Sequence, residues 1–188
     1  DLKGATNEST QTITKYTLTQ TASTGGLTFL TAPSIDPVTG DLTYQAATNS
    51  NGTVTLSVTA TDDGGTANGG VDTSAVKTFI ISVTGVNDAP TISAPGSQTT
   101  LEDTAKAIVG LSFGDVDSGT SDVTVTLSAV SGTVTVTTNV AGGVTAAQVS
   151  GNGTASVTIT APLAAINTTL ADPTALTYLP SLNFNGSD

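Results

Sequence analysis

The sequence predicts an all-β protein built from two sandwich-type domains. The composition is dominated by Thr, Val, Ala, Gly, Ser and Asn, with no Cys, His, Met or Trp. Apolar and polar residues alternate over several short stretches, which places the apolar side chains on one face of a strand, and Gly and Asn favour the turns between strands. With 188 residues, the chain is long enough for two small domains that each bury a core.

Four alternating stretches in the first half predict half-buried strands, and they cover residues 12–21, 41–46, 52–62 and 77–85. In the third stretch, the apolar residues from Val54 to Ala60 fall on one face, and the intervening Thr and Ser residues fall on the other. One face of this strand is therefore expected in the core and the other in solvent.

The same pattern resumes in the second half at residues 106–113, 122–130, 132–138 and 154–161. Between the last of these and the C-terminus, Leu163, Ile166 and Leu170 recur at helical spacing. Thr160 is a candidate cap and Pro162 suits a first turn, so a short connecting helix is expected within residues 160–173.

An internal repeat indicates how the two halves correspond. Residues 42–53 and 176–187 both read Leu-Thr-Tyr, then six residues, then Asn-Gly and a hydroxyl residue. The first copy is followed by two strong strands, whereas the second is followed at once by Asp188. The sequence therefore predicts domains at 1–86 and 87–188, either or both of which lack strands. Such domains belong to a tandem array or are completed by neighbouring subunits.

Composition and charge exclude several classes of function. Fifteen acidic against four basic residues give a net charge of −11, which disfavours nucleic acid and anionic membrane surfaces. Without Cys and His there is no thiolate, no ordinary imidazole base and no usual zinc ligand, so no enzyme is expected. No apolar stretch approaches the roughly 20 residues of a membrane helix. The N-terminus carries no leader pattern, so a mature or excised piece is expected.

Carboxylates near the boundary between the halves suggest a calcium site. Calcium takes six to eight oxygen ligands from carboxylates, amides and backbone carbonyls. Asp115 and Asp117 are two residues apart, so in an extended segment both would project to one side and chelate a cation. The alternative is an ordinary Asp/Gly turn. Other oxygen donors precede this pair near the boundary, namely Asn87, Asp88, Glu102 and Asp103.

Two further motifs that could bind a cation could instead have a purely structural role. Asp62 and Asp63 directly follow a strand and precede two glycines, a pattern that is more often a turn than a ligand pair. In the linker, Pro90 restricts Ala89 to extended conformations and stiffens the connection, while Asn87 and Asp88 are able to cap backbone groups. Stiffening and cation binding are compatible.

The chain resembles the cadherin-like and tandem-95-type immunoglobulin-like repeats of large bacterial surface adhesins, including those with repeats-in-toxin sequences. The resemblance lies in residues 39–74, 77–92, 101–119, 121–136 and 176–188. It implies two tandem immunoglobulin/cadherin-like β-sandwich domains in an extended arrangement, rigidified by Ca²⁺. It also implies junction ligands at Asp62 and Asp63, and it matches Glu8 to the acidic position that opens such repeats. Domains of this family open with a Glu-Asp segment and close with a strand after Phe-Asn-Gly. This chain therefore departs from the family pattern at the ends of its domains.

We therefore expect a non-enzymatic, extracellular module of a cell-surface or secreted protein that has structural and adhesive roles. Its partners would be neighbouring repeats or identical subunits, and another cell surface or a surface polysaccharide. The alternative is a filament subunit that exchanges strands between incomplete sandwiches. Polysaccharide binding has less support, because three Tyr, four Phe and no Trp supply few aromatic platforms.

Overall fold

The structure is a computed structural model that describes residues 11–188, and the chain divides into two compact units, Asp1–Val86 and Asn87–Asp188. The described residues are mostly β, arranged in several small antiparallel sheets with one short α-helix, which confirms the predicted class. Among residues 11–188, no helix has the length and apolar character needed to cross a membrane.

The first unit combines a three-stranded sheet with a two-stranded hairpin. Its strands are β1 (Ile13–Thr24), β2 (Phe29–Ile35), β3 (Leu42–Ala46), β4 (Gly52–Asp62) and β5 (Lys77–Val83). β4 lies at the centre of the sheet and pairs antiparallel with β1 and β5, while β2 and β3 pair with each other.

The core of the first unit is small and follows the predicted alternation. Val54 and Leu56 on β4 are buried together with Leu27 and Ile81, while Val58 is half-buried. Because β4 is the central strand, its inner side chains are covered from both neighbouring strands. The predicted core face of residues 52–62 is therefore confirmed.

The second unit contains three small sheets and the helix. Its elements are β6 (Thr91–Ser93), β7 (Lys106–Ala107), β8 (Ser112–Gly114), β9 (Asp122–Ser128), β10 (Gly132–Val136), β11 (Val149–Ser150), β12 (Ser156–Pro162), α1 (Leu163–Ala171) and β13 (Leu176–Pro180). The sheets have the strand orders β10-β13-β7, β11-β12-β9 and β6-β8, and every pairing is antiparallel.

The predicted helix is confirmed, and its inner face belongs to the core of the second unit. Ile166 and Leu170 are buried in a cluster with Val157 and Ile159 of β12. The expected cap is wrong. Thr160 lies within β12, where its hydroxyl is 3.3 Å from that of Thr124, because the strand continues to Pro162 and the helix begins only after it.

Two strand predictions differ from the structure for local reasons. Residues 106–113 were expected to form one strand but form β7 and β8, because Gly110 between them has a φ of +88°, in the left-handed region that breaks extended backbone. β2 escaped prediction because Pro33 interrupts its pattern. Proline is tolerated there because β2 pairs only with β3 and is an edge strand.

Candidate functional site

The Asp115–Ser118 segment follows β8 and forms a turn. Asp115 Oδ1 accepts hydrogen bonds from the N–H groups of Asp117 at 2.8 Å and Ser118 at 3.1 Å, and the Ser118 hydroxyl donates to the Asp115 carbonyl at 3.0 Å. The chain bends at Val116 and Asp117. The extended geometry expected for this pair is therefore wrong, because Asp115 uses one carboxylate oxygen to close the turn.

The start of the second unit meets this turn. The Asp88 N–H donates to Asp117 Oδ2, and the Asn87 side-chain amide donates to the Asp88 carbonyl at 2.9 Å. Four of the predicted site residues are thus connected by hydrogen bonds within one region of the second unit: Asn87, Asp88, Asp115 and Asp117. Asp88 and Asp117 are exposed to solvent and Asp115 is half-buried.

Some carboxylate oxygens at this turn have no hydrogen-bond donor among the described residues. Within residues 11–188, Asp115 Oδ2, Asp117 Oδ1 and the Asp88 carboxylate accept no hydrogen bond from the protein. The same residues contain no group of three or more Asp or Glu side chains arranged to hold a metal ion. A calcium ion at this turn would therefore take further oxygens from backbone carbonyls, the Asn87 amide or water.

Glu102 and Asp103 have no hydrogen bond to this turn in the described structure. Asp103 adopts a left-handed φ of +57°, and its Oδ1 accepts a 2.8 Å hydrogen bond from the N–H of Asn183, in the loop after β13. The Glu102 carbonyl accepts a 3.2 Å hydrogen bond from the Thr104 hydroxyl, and its side chain is exposed. Asp103 thus joins the loop before β7 to the loop after β13.

Asp62 and Asp63 lie in the first unit and bond to their own surroundings. Asp62 Oδ1 accepts from the Gly64 N–H at 2.9 Å, which closes a turn after β4. Asp63 accepts from the N–H of Thr12 at 2.9 Å and from its hydroxyl at 3.1 Å, and these hydrogen bonds lower the pKa of Asp63. Asp63 therefore holds Thr12, the residue before β1, next to the end of β4. Glu8, the remaining candidate, lies outside the described residues.

Asp188 makes a set of contacts that the sequence pattern did not indicate. Its carboxylate accepts hydrogen bonds from the Tyr178 hydroxyl at 2.8 Å, the Val130 N–H at 2.6 Å and the Ser131 N–H at 3.0 Å. The hydrogen bond from Tyr178, followed by those from the two backbone groups, lowers the pKa of Asp188. No local motif surrounds Asp188, so only the fold reveals these contacts.

Comparisons of the chain with protein-family models, with curated proteins and with solved structures found no match. The candidate site is therefore defined by the chemistry and geometry of its own residues.

Proposed function

We propose that this chain is a non-enzymatic, extracellular structural and adhesive module of a bacterial surface protein, built from two tandem cadherin-like β-sandwich domains and stiffened by Ca²⁺. The observation that carries the proposal is the hydrogen bond from the Asp88 N–H to the Asp117 carboxylate, which joins the linker residues to the acidic turn. Support also comes from the resemblance of the linker and acidic motifs to adhesin repeats, and from the net charge of −11.

Calcium would act here by neutralising carboxylates that otherwise repel one another. Asp88, Asp115 and Asp117 are acidic residues of one hydrogen-bonded region, and like charges near one another are unfavourable. A bound cation converts this repulsion into shared coordination, which holds residues 87 and 88 against the turn. The linker then has fewer conformations available, and Pro90 already restricts the residue before it.

Calorimetric titration with Ca²⁺ tests the proposal, together with thermal unfolding in the presence of calcium or of a chelator. The wild-type chain should bind calcium and melt at a higher temperature, because a ligand at about 100 times its Kd adds about 2.7 kcal/mol to stability. The Asp115→Asn/Asp117→Asn variant should lose both effects. Asparagine keeps an oxygen that accepts the hydrogen bonds of the turn, so the variant removes charge with little change of shape.

A charge-matched variant, Asp41→Asn/Asp122→Asn, is the control. Both of these carboxylates are exposed and lie outside the turn, so this variant should bind calcium like the wild type. Absence of calcium binding by the wild type would contradict the proposal. Equal loss of binding in both variants would also contradict it, because the effect would then follow total charge and not the site.

A second candidate function is a filament subunit completed by strands from other subunits. The observation that favours it is the small core of the first unit, where Leu30, Leu42 and Tyr44 on the β2–β3 hairpin remain exposed. Size-exclusion chromatography with light scattering, followed by electron microscopy, tests this function. High-mass polymers are expected, and a protein that stays monomeric at high concentration would exclude it.

A further inference from the structure

Four asparagines of this chain directly precede a glycine, namely Asn51, Asn68, Asn152 and Asn185. An asparagine in this position is able to modify itself, because the backbone nitrogen of the next residue can attack its side-chain Cγ. Glycine hinders this attack least, since it has no side chain. The structure places the four pairs in different environments, so they should differ in reactivity.

The reaction consumes one water molecule and releases one ammonia. The glycine nitrogen gives its proton to solvent base and forms a bond to Cγ of the asparagine, while the bond from Cγ to Nδ2 breaks and ammonia leaves. Water then opens the resulting five-membered succinimide at one of its two carbonyls and gives aspartate or isoaspartate. Attack requires close approach of the nitrogen and Cγ, so hydrogen bonds that hold either group elsewhere slow it.

Asn152 is held at both of the groups that must react. Its Oδ1 accepts from the Val136 N–H at 2.8 Å, and its Nδ2 donates to the Val136 carbonyl at 2.8 Å. The Gly153 N–H, which would have to lose its proton, donates to the Val134 carbonyl at 2.9 Å. Attack at Asn152 therefore requires a local opening next to β10 that breaks three hydrogen bonds.

Asn68 lies in the loop between β4 and β5, and both Asn68 and Gly69 are exposed. Their φ angles of +56° and +82° are left-handed, a conformation that asparagine and glycine tolerate best. The backbone hydrogen bond of this turn runs from the Gly70 N–H to the Ala67 carbonyl at 3.0 Å, so it spans the pair without using the Gly69 nitrogen. Solvent base can therefore reach this nitrogen without any opening of the sheet.

The other two pairs are more constrained than Asn68. Asn51 is half-buried and lies close to Gly85, where an added Cβ would be 3.1 Å from Asn51 Cγ, and the glycine after Asn51 begins β4. Asn185 is exposed, but the three hydrogen bonds to the Asp188 carboxylate hold the chain shortly after it. Asn68 and Asn152 are thus the two extremes.

We propose that Asn68–Gly69 is a site of spontaneous succinimide formation, which converts Asn68 to aspartate or isoaspartate, while the fold protects Asn152. The modification adds one negative charge to the loop between β4 and β5. Isoaspartate also lengthens the main chain by one carbon atom between Ala67 and Gly70, the two residues that the turn hydrogen bond joins. The reaction needs neither calcium nor a partner, so it is independent of the proposed function.

Peptide mapping by mass spectrometry tests the proposal, after incubation of the full 188-residue chain in mildly alkaline buffer with a chelator. Conversion at Asn68 should be about tenfold or more faster than at Asn152, because three hydrogen bonds must first open at Asn152. The product should include isoaspartate, detected with an isoaspartyl methyltransferase, since direct hydrolysis of the amide gives only aspartate. The rate should rise with pH, because the nucleophile is the deprotonated glycine nitrogen.

Two controls separate the effect of the fold from that of the local sequence. In urea at a concentration that unfolds the chain, the rates at Asn68 and Asn152 should become similar. Asn68→Gln keeps a side-chain amide, but its cyclic product would be a six-membered ring that forms more slowly. This variant should lose the modification at residue 68 and leave the rate at Asn152 unchanged, with the circular dichroism spectrum of the wild type.

Three results would overturn the proposal. The first is that Asn152 converts as fast as Asn68 in the folded chain. The second is that Asn68 converts only in urea, which would mean that its loop protects it. The third is that the difference between the two rates is equally large in urea, which would mean that neighbouring residues and not the fold set the rates.

Discussion

The side-chain amide of Asn167 pairs with both backbone polar groups of Phe113. The Phe113 N–H donates to Asn167 Oδ1 at 2.9 Å, and Asn167 Nδ2 donates to the Phe113 carbonyl at 2.7 Å. These two hydrogen bonds hold helix α1 against β8. The Asp115 turn follows β8 directly in the chain. The helix therefore helps to position the candidate site, although none of its residues was a predicted ligand.

Substitution of Asn167 tests this connection. Asn167→Ala leaves the N–H and the carbonyl of Phe113 without their partner, so we expect the free energy of unfolding to fall by about 1–3 kcal/mol. Urea denaturation monitored by circular dichroism measures the change. Thr168→Ala is the control on the same helix, because Thr168 is exposed and should leave stability unchanged or slightly higher. Equal stability of the two variants would contradict the prediction.

Thr169 is a buried hydroxyl residue with two hydrogen bonds. Its Oγ1 accepts from the Val144 N–H at 2.8 Å and donates to the Ala165 carbonyl at 3.1 Å. Thr169→Val keeps the shape but leaves the buried Val144 N–H unpaired, so a loss of about 1–3 kcal/mol is expected from chemical denaturation. Thr169→Ser keeps both hydrogen bonds and removes one methyl group, so it should cost less. If serine costs more than valine, packing and not hydrogen bonding makes the larger contribution.

The hydrogen bond between Tyr178 and Asp188 predicts a dependence on pH. Because the folded state lowers the pKa of Asp188, this carboxylate contributes stability above its unfolded pKa, and the contribution is lost as the pH falls through the folded value. Tyr178→Phe removes the hydrogen bond that contributes most to lowering the pKa of Asp188. In this variant the pKa of Asp188 should therefore rise towards its ordinary value. The difference in melting temperature from wild type should be largest near neutral pH and should shrink in acid.

Thermal unfolding of both proteins from neutral to acidic pH measures the difference in melting temperature. NMR titration of the Asp188 carboxyl group measures its pKa directly. Tyr16→Phe, on β1 of the first unit, is the control and should leave the pKa of Asp188 unchanged. If the destabilisation by Tyr178→Phe is the same at every pH, it arises from the packing of the ring and not from the carboxylate.

Ile166 is fully buried on α1 within the core of the second unit. Ile166→Ala removes three carbon atoms and leaves a cavity, so we expect it to reduce the free energy of unfolding by about 2–5 kcal/mol. Val130→Ala removes apolar atoms from a side chain that is 91 % exposed and should stay within about 0.5 kcal/mol of wild type. Denaturant midpoints of the two variants make the comparison, and similar midpoints would mean that α1 packs differently.

Local patterns predicted most of the strands and the helix, because alternation and helical spacing are properties of neighbouring residues. The stretch at 52–62 became β4 with the expected buried face, and the spacing of Leu163, Ile166 and Leu170 became α1. Hydrophobic periodicity did not predict the effects of individual glycine and proline residues on the backbone. Gly110 divides one predicted strand, and Pro33 concealed β2, since neither effect follows from hydrophobic periodicity.

The sequence alone determined the β class, the positions of most strands, the helix and the repeated Leu-Thr-Tyr strand, since each depends on residues close together in the chain. Only the tertiary structure decided which carboxylates bond to residues distant in the chain, whereas the turns closed by Asp62 and Asp115 are local and were an alternative that the sequence offered. Asp117 accepts from Asp88, 29 residues away, while Asp103 accepts from Asn183, 80 residues away. The physical reason is that a hydrogen-bond partner is selected by the packing of strands and loops distant in sequence, which local periodicity does not encode.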